Sequence, residues 1–440
     1  MNESFKQTDI GLIPEDWILD IIGNHFDIKQ GKQLSKRTRV GNNQKKFLRT
    51  ANVFWGKLDL SELDEMHFTK EEEEKLKLLY NDLLVCEGGD IGRTAIWRND
   101  LDDCYYQNHI HRLRLKKETI SPLFFMNWMY YGVVLASKYF GIGNRTTIPN
   151  LSASRLKSFQ FPFPPLPEQK KIAHVLSKIQ QSIETQEQII KTTQELKKAL
   201  MQKLFTEGLN GEPQKQSALG GEIGPIPESW EVVELGQIVS KPIKDGVHQT
   251  PKYISNGIPF ITAKDIINEE ISFDTCKYIS NDEHEKLFQK VNPLKDDILL
   301  TKVGTIGNVA IVRDENPFSI FVQVALIKPN RDYVDPSYLK YCLLSDKIQS
   351  EILRTSGRST MKFIGVQKIS KLVIPLPPLP IQKVISSHID LLTDKIKFEL
   401  VKVEWLKQLF KTSLNNLMTG QIRVKDMEFE PNQVPSRERI

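Results

Sequence analysis

At 440 residues the chain is long enough for two or more domains, each with its own core. Lys and Arg outnumber Asp and Glu by 60 to 55, an excess too small to demand a nucleic-acid partner and too small to argue against one. The cysteines, Cys86, Cys104, Cys276 and Cys342, form no C-x-x-C pair, which argues against a disulfide framework or a thiolate zinc site and fits a reducing cytoplasm.

The N-terminus, MNESFKQTDIG, lacks a basic start followed by an apolar run and does not read as a signal peptide. IGLIPEDW (10–17) returns as IGPIPESW (223–230), an offset of 213. After Trp17 comes a mixed region with short β-rich runs such as DLLVCEGG, separated by Gly, Asn and Asp turns and one or two short helices. Within it, KEEEEKLKLL (70–79) predicts a surface helix whose early acids suit the helix dipole. The most apolar stretch, PLFFMNWMYYGVVLAS (122–137), is too short for a bilayer and is read as a buried helix. Its counterpart from Pro336 carries Lys340 and Asp346 in a similar frame.

FPFPPLPEQ then favours extended backbone before Pro167, where a long helix should start. Alternate steps of four and three from Ile172 reach Leu176, Ile179, Ile183, Gln186, Ile190, Thr193, Lys197, Leu200 and Leu204. That is the seam of a coiled coil roughly 40 residues and about 60 Å long. A polar segment, 207–224, links it to the second copy.

The register persists through the second copy. PPLPEQKK (164–171) meets PPLPIQKV (377–384), NRTTI meets GRSTM and KLFT meets NLMT, all at 213; only the interior slips, GDIGRTAI meeting GTIGNVAI two residues further on. The second seam is Ile385, Ile389, Leu392, Ile396, Glu399, Val403, Leu406, Phe410, Ser413 and Leu417, with lysines mostly between. The fold class that follows is an α/β (α+β) tandem duplication: two globules joined by two long helices in an antiparallel coiled coil with a pseudo-twofold axis. In such a pair Gln186 and Glu399 approach each other near the centre, where a buried hydrogen bond would fix register; the alternative is a solvated notch. The expected boundaries are 1–163 for the first globule, 164–206 for the central helix, 207–222 for the linker, 223–376 for the second globule, 377–419 for the distal helix and 420–440 for a tail.

A region ending in PLPEQ, a long helix ending near KLFT, a second IPESW, and a second PPLP helix ending in LMTGQIRV resemble the specificity subunit of type I restriction-modification enzymes over residues 5–425. The resemblance implies two target-recognition domains, each reading one half of a split DNA sequence, with helices that act as ruler and docking platform. The implied partners are double-stranded DNA, two methyltransferase subunits using S-adenosylmethionine, and restriction subunits using ATP and Mg. Ile381 departs from the pattern by replacing the acid found at Glu168, which touches only a helix-start interaction.

Chemistry of its own is not expected. There is no G-x-x-x-x-G-K-[ST] loop and no Asn/Asp-Pro-Pro-aromatic motif, and YFGIGN (139–144) reads as a turn after a helix. Glu168-Gln169-Lys170 and Glu195-Leu196-Lys197 mimic a nuclease E-x-K but read as helix-surface charges. His109 and His111 are not read as ligands of one metal. DNA contact then falls to loops combining cations with Gly, Thr and Asn. In the first copy these are Lys32, Gln33, Lys36, Arg37, Arg93, Asn144, Arg145, Thr146 and Thr147. In the second they are Lys244, His248, Gln249, Thr250, Lys252, Lys302, Arg358, Ser359, Thr360 and Lys362. The acidic run 70–79 should face away from phosphate. Two other classes compete: a DNA-modifying enzyme acting alone, and a structural coiled-coil scaffold.

Overall fold

Proline forbids a helix before it and tolerates the first helical turn, so each PPLP segment converts extended chain into helix within two residues. The computed structural model, which describes residues 4–136, 150–216, 224–313, 315–356 and 362–428, has long helices at Leu166–Glu207 and Leu379–Met418. The chain divides into two units, one of residues 1–186 with 402–440 and the other of 187–401. Each unit therefore holds the start of one long helix and the end of the other. In the first, Ile172 and Leu176 share a core with Leu414 and Leu417. In the second, Leu204 and Phe205 share one with Ile385 and Ile389. Start meets end both times, the antiparallel arrangement.

Every apolar seam position named above is buried or half-buried. Gln186 and Glu399 are buried too, at 9% and 6% exposure, so neither is a solvated notch. The outer faces of the two helices differ. Val384, Leu391, Phe398, Val401, Trp405 and Leu409 are exposed on the second helix, while the matching positions on the first are Lys171, Lys178, Thr185, Gln188, Thr192 and Leu196.

The heads repeat strand for strand. The first has a four-stranded antiparallel sheet ordered Thr94–Ile96, Leu83–Cys86, Ile110–Leu115, Phe26–Gln30. The second orders Val309–Ile311, Ile298–Thr301, Val324–Pro329, Val239–Asp245 in the same way. A three-stranded sheet with one parallel pair accompanies each: Cys104–Tyr106, Gln44–Leu48, Asp64–His67 in one, Ser319–Ile320, Ile258–Ile261, Lys277–Ile279 in the other. A closing pair, Ile18–Ile21 with Gln160–Phe163 or Glu231–Glu234 with Val373–Leu376, returns the chain to the start of its long helix.

The apolar stretch at 122 is the buried helix Pro122–Tyr130, capped by Ser121 and extended by a π-type turn over Tyr131–Leu135. Its counterpart, Pro336–Leu344, is capped by Asp335. The acidic run forms the helix Lys70–Leu76, whose N-cap Thr69 accepts from the Glu72 amide while the Glu72 carboxylate accepts from that of Thr69. Part of the expected linker is strand, Gln214–Gln216 pairing with Pro225–Pro227. All four cysteines are buried and free, and burial pushes the Cys86 and Cys104 thiols up to about 11 and about 12, so they stay protonated.

The repeated motifs acquire physical roles. Gln169 is fully buried; its amide donates to the Thr119 and Pro164 carbonyls while its oxygen accepts from the Ser121 amide. Gln382 does the same with Tyr333, Pro377 and the Asp335 amide. This bracket ties the first turn of each long helix to the cap of the apolar helix beside it. Trp17 and Trp230, both 1% exposed, anchor the I-P-x-x-W copies in their cores.

Two expectations are corrected here. Glu168 is not a surface charge: it accepts two hydrogen bonds of 2.8 Å from Arg423, which also forks onto Asp16 at 2.9 and 2.7 Å. That guanidinium holds the Asp16 carboxyl below its ordinary range, and the two carboxylates keep Arg423 protonated. Nor is Lys197 a surface charge, since it is 8% exposed and paired with Glu269. A seam position that faces a partner element is buried whatever its residue type. The acid at 168 thus exists for Arg423 of the terminal motif, and Ile381, which lacks that arginine's counterpart, packs among apolar neighbours instead.

Candidate nucleic-acid interface

Both candidate loops leave their heads in the same way. Gly31 ends the strand Phe26–Gln30, and a Cβ there would lie 2.3 Å from the Tyr106 carbonyl. Gly246 ends Val239–Asp245, and a Cβ there would lie 2.2 Å from that of Phe321. Only glycine lets the backbone approach so closely. The next residues make matching parallel bridges, Lys32 to Gln107 and Val247 to Phe321. Each loop is thereby pinned at its root to the parallel-paired sheet, and the residues beyond are released to solvent. Gln33, Lys36 and Arg37 are exposed in the first unit, as are Arg39 and Val40. His248, Gln249, Thr250 and Lys252 are exposed in the second.

A second shared feature is the hairpin tip GDIG/GTIG. Gly89 and Gly92 have φ of 73° and 78°, and Gly304 and Gly307 of 79° and 94°. These paired left-handed glycines hold the same turn in both units, which is why the motif survived the slip in register.

The structure separates the predicted cations into two groups. Lys32 and Arg93 are half-buried and Lys302 is buried, each beside an acid. Lys32 donates to the His67 carbonyl at 2.7 Å, pairs with Glu72 and lies over the Phe68 ring. Arg93 is paired with Asp90 at 3.4 Å and lies over Phe54. Lys302, 2% exposed, sits 2.8 Å from Asp245 and under the Phe363 ring. The physical reason is position: each emerges at a strand end beside an acid, where an ion pair replaces lost hydration. Lys244 is exposed on its strand, donating to the Lys290 carbonyl at 3.3 Å, and Lys362 is exposed. Asn144, Arg145, Thr146, Thr147, Arg358, Ser359 and Thr360 lie outside the described residues, as does YFGIGN.

The acidic helix is a surface helix with acids in its first turn, as expected, and it also supplies partners to the loop root. Glu72 neutralises Lys32, and Glu73 reaches Asn43 and lies 4.0 Å from Lys45. It braces the root of the candidate loop and leaves Lys36, Arg37 and Arg39 as that loop's exposed cations. His111 is buried, with Nε2 2.8 Å from the Leu151 carbonyl, and burial lowers its pKa. His109, just before the strand Ile110–Leu115, is exposed beside Glu87 at 3.9 Å.

Sequence reasoning missed Arg39, which follows the quoted motif by two residues, and the buried brackets Gln169 and Gln382. The latter were visible as matched letters but without a partner to explain them.

The family model for the type I restriction modification DNA specificity domain matches the chain twice, at residues 14–195 and 227–408. A Methanocaldococcus jannaschii chain assigned as the MjaX type I restriction enzyme specificity subunit is 30% identical, the match spanning 96% of this chain and 97% of that one. The MjaVIII specificity subunit of the same organism is 25% identical over 97% and 98%. The EcoBI specificity subunit of Escherichia coli is 26% identical over 70% and 66%. The crystal structure of an S subunit from M. genitalium shares the fold with a TM-score of 0.57, at 19% identity and coverage of 95% and 99%. With two matched domains, each carrying the pinned loop, the paired-glycine tip and the glutamine bracket, the chain belongs to the family of type I restriction-modification DNA specificity subunits.

Proposed function

We propose that each head reads one half of a two-part DNA sequence, that the two long helices set the gap between the halves, and that the chain does no chemistry alone. The observation that carries this is the repeated loop rooted at Gly31 and Gly246, which presents exposed cations beside exposed amides and hydroxyls in both units. Lys36, Arg37 and Lys252 supply phosphate contacts, and Gln33, Gln249 and Thr250 supply groups able to read base edges. The different residues on two equivalent loops fit two different half-sites.

Methyltransferase subunits dock on the helices in this reading. Val384, Leu391, Phe398 and Trp405, spaced by sevens and exposed on the second helix, suit a helical partner. The methyl donor S-adenosylmethionine belongs to those subunits, and ATP and Mg to the restriction subunits.

Methylome sequencing of the host, with and without this gene, tests the reading. The expected result is loss of methylation at one bipartite sequence. Replacing residues 1–160 by those of another family member should then change one half-site alone. If both halves change, the division of labour is wrong, and if the purified chain methylates or cuts DNA unaided, the non-catalytic reading falls.

A further inference from the structure

The second head contains a turn whose backbone is harder to form than it needs to be. The hairpin of Ile266–Ile267 and Glu270–Ile271 turns through Asn268 and Glu269, both left-handed, with φ of 52° and 65°. A two-residue turn with positive φ at both positions favours Asn-Gly, because a Cβ is disfavoured there. The matching hairpin of the first head, Val53–Phe54 with Lys57–Leu58, has Gly56 at the corresponding place, with φ 68°. A side chain kept in a disfavoured conformation points to a role for that side chain.

The Glu269 carboxylate has such a role. One oxygen accepts from Nζ of Lys197 on the first long helix, and the other lies 3.4 Å from Nζ of Lys340 on the helix Pro336–Leu344. The two lysine side chains are only 10% and 5% exposed, and their ammonium groups lie 5.2 and 3.8 Å from the centre of the Tyr341 ring. The Tyr341 hydroxyl lies 3.1 Å from that of Thr393 and donates to Asp390, both on the second long helix. One carboxylate at a hairpin tip therefore joins the head, its buried helix and the first long helix, and Tyr341 of that buried helix bonds to the second. At the corresponding positions the first head has Gly56, Asn127 and Trp128, with no charge.

We propose that Glu269 is a positioning residue: shared by two buried ammonium groups, its carboxylate pins the second head to the helices that set the gap, so that its half-site is read at one spacing. This rests on the two-part recognition reading. The hairpin reaches the first long helix through Glu269, while Glu270 beside it pairs with Lys397 of the second, and two buried ammonium groups sharing the Glu269 carboxylate leave the turn little freedom to move. A neutral side chain would pack there with less directionality.

The test compares the parent chain with Glu269→Gly and Glu269→Gln, each complexed with its methyltransferase subunits. Amide exchange across 266–271 is measured, with methylation of duplexes whose half-sites are moved one base pair closer or farther apart. Glu269→Gly relieves the turn but leaves two buried ammonium groups without their carboxylate, so its Tm is expected to fall while exchange across 266–271 rises about tenfold. The preference for the native spacing should fall about tenfold, with base preferences at the first half-site unchanged. Unchanged exchange, or raised exchange with unchanged spacing preference, overturns the proposal. So do equal losses at both half-sites, which would mark Glu269 as merely structural. If the parent complex methylates no two-part sequence while exchange still rises in the variants, the recognition reading has failed and the pin remains.

Discussion

The two heads share a strand order and place their buried charge at different joints. In the first, the start of the long helix is ionic: Arg423 binds Glu168 and Asp16, while the hairpin joint is aromatic, with Trp55 5.1 Å from Tyr130 and Tyr130 6.2 Å from Phe410. In the second, the helix start is apolar at Ile381, and the hairpin joint is the ionic cluster of Lys197, Glu269 and Lys340. Phe410 and Lys197 occupy corresponding seam positions. A duplicated joint thus tolerates either chemistry if all partners change together, because a half-converted joint would leave a charge buried without its counterion.

Breaking the ionic joint of the first head should have the largest effect. Arg423→Ala leaves Glu168 buried and unpaired, and is expected to destabilise the first unit by about 3 kcal/mol in denaturant unfolding of the full chain. Adding Glu168→Ile, the second head's own solution, should recover most of that loss; no recovery would show that the two joints are not interchangeable. The shared feature should respond alike in both heads. Gln169→Leu and Gln382→Leu each strand two carbonyls and an amide, at about 2 to 3 kcal/mol apiece, and clearly unequal costs would deny that the bracket is one device used twice.

The ionic joint of the second head should show in a pH profile. Burial, outweighing the attraction of Glu269 and Asp390, lowers Lys340 to about 8 from 10.5, while Lys197 and Arg313 disfavour its charge further. Between those values the unfolded chain holds a proton that the folded chain has released, so this group makes stability rise with pH across that window and adds nothing below it. The rise should amount to about 2 kcal/mol from pH 8 to 10 and disappear in Lys340→Met, judged against the parent at each pH. A parent profile that falls or stays flat where the variant's does the same would refute it.

The smallest effect on folding falls on the loops. Lys36→Ala with Arg37→Ala should leave the unfolding midpoint unchanged. DNA binding should weaken about tenfold, and the salt dependence should lose a slope of about 2. Lys32→Met should instead lower stability, since Lys32 is spent on Glu72 and His67.

Much of this architecture was legible because duplication writes each element twice. Matching IPEDW with IPESW, and PPLPEQ with PPLPIQ, set the repeat, the long-helix starts and the seam, since these depend on local rules of proline geometry and apolar spacing. The candidate loops were found by composition, which marks cations and turns but not their neighbours. Hence Lys36 and Lys32 looked alike in QGKQLSKR, and only the fold brings Glu72, forty residues on, to one of them.

By itself the sequence determined the period, the order of elements and the buried stripe of each helix, because backbone preference and side-chain spacing act over a few residues. Tertiary structure alone decided which charges are free, why Glu168 has an acid and Ile381 has none, and why Glu269 accepts a glycine's conformation. Ion pairs between residues tens to hundreds of positions apart are set by where the folded chain places their ends, and no local pattern encodes that distance.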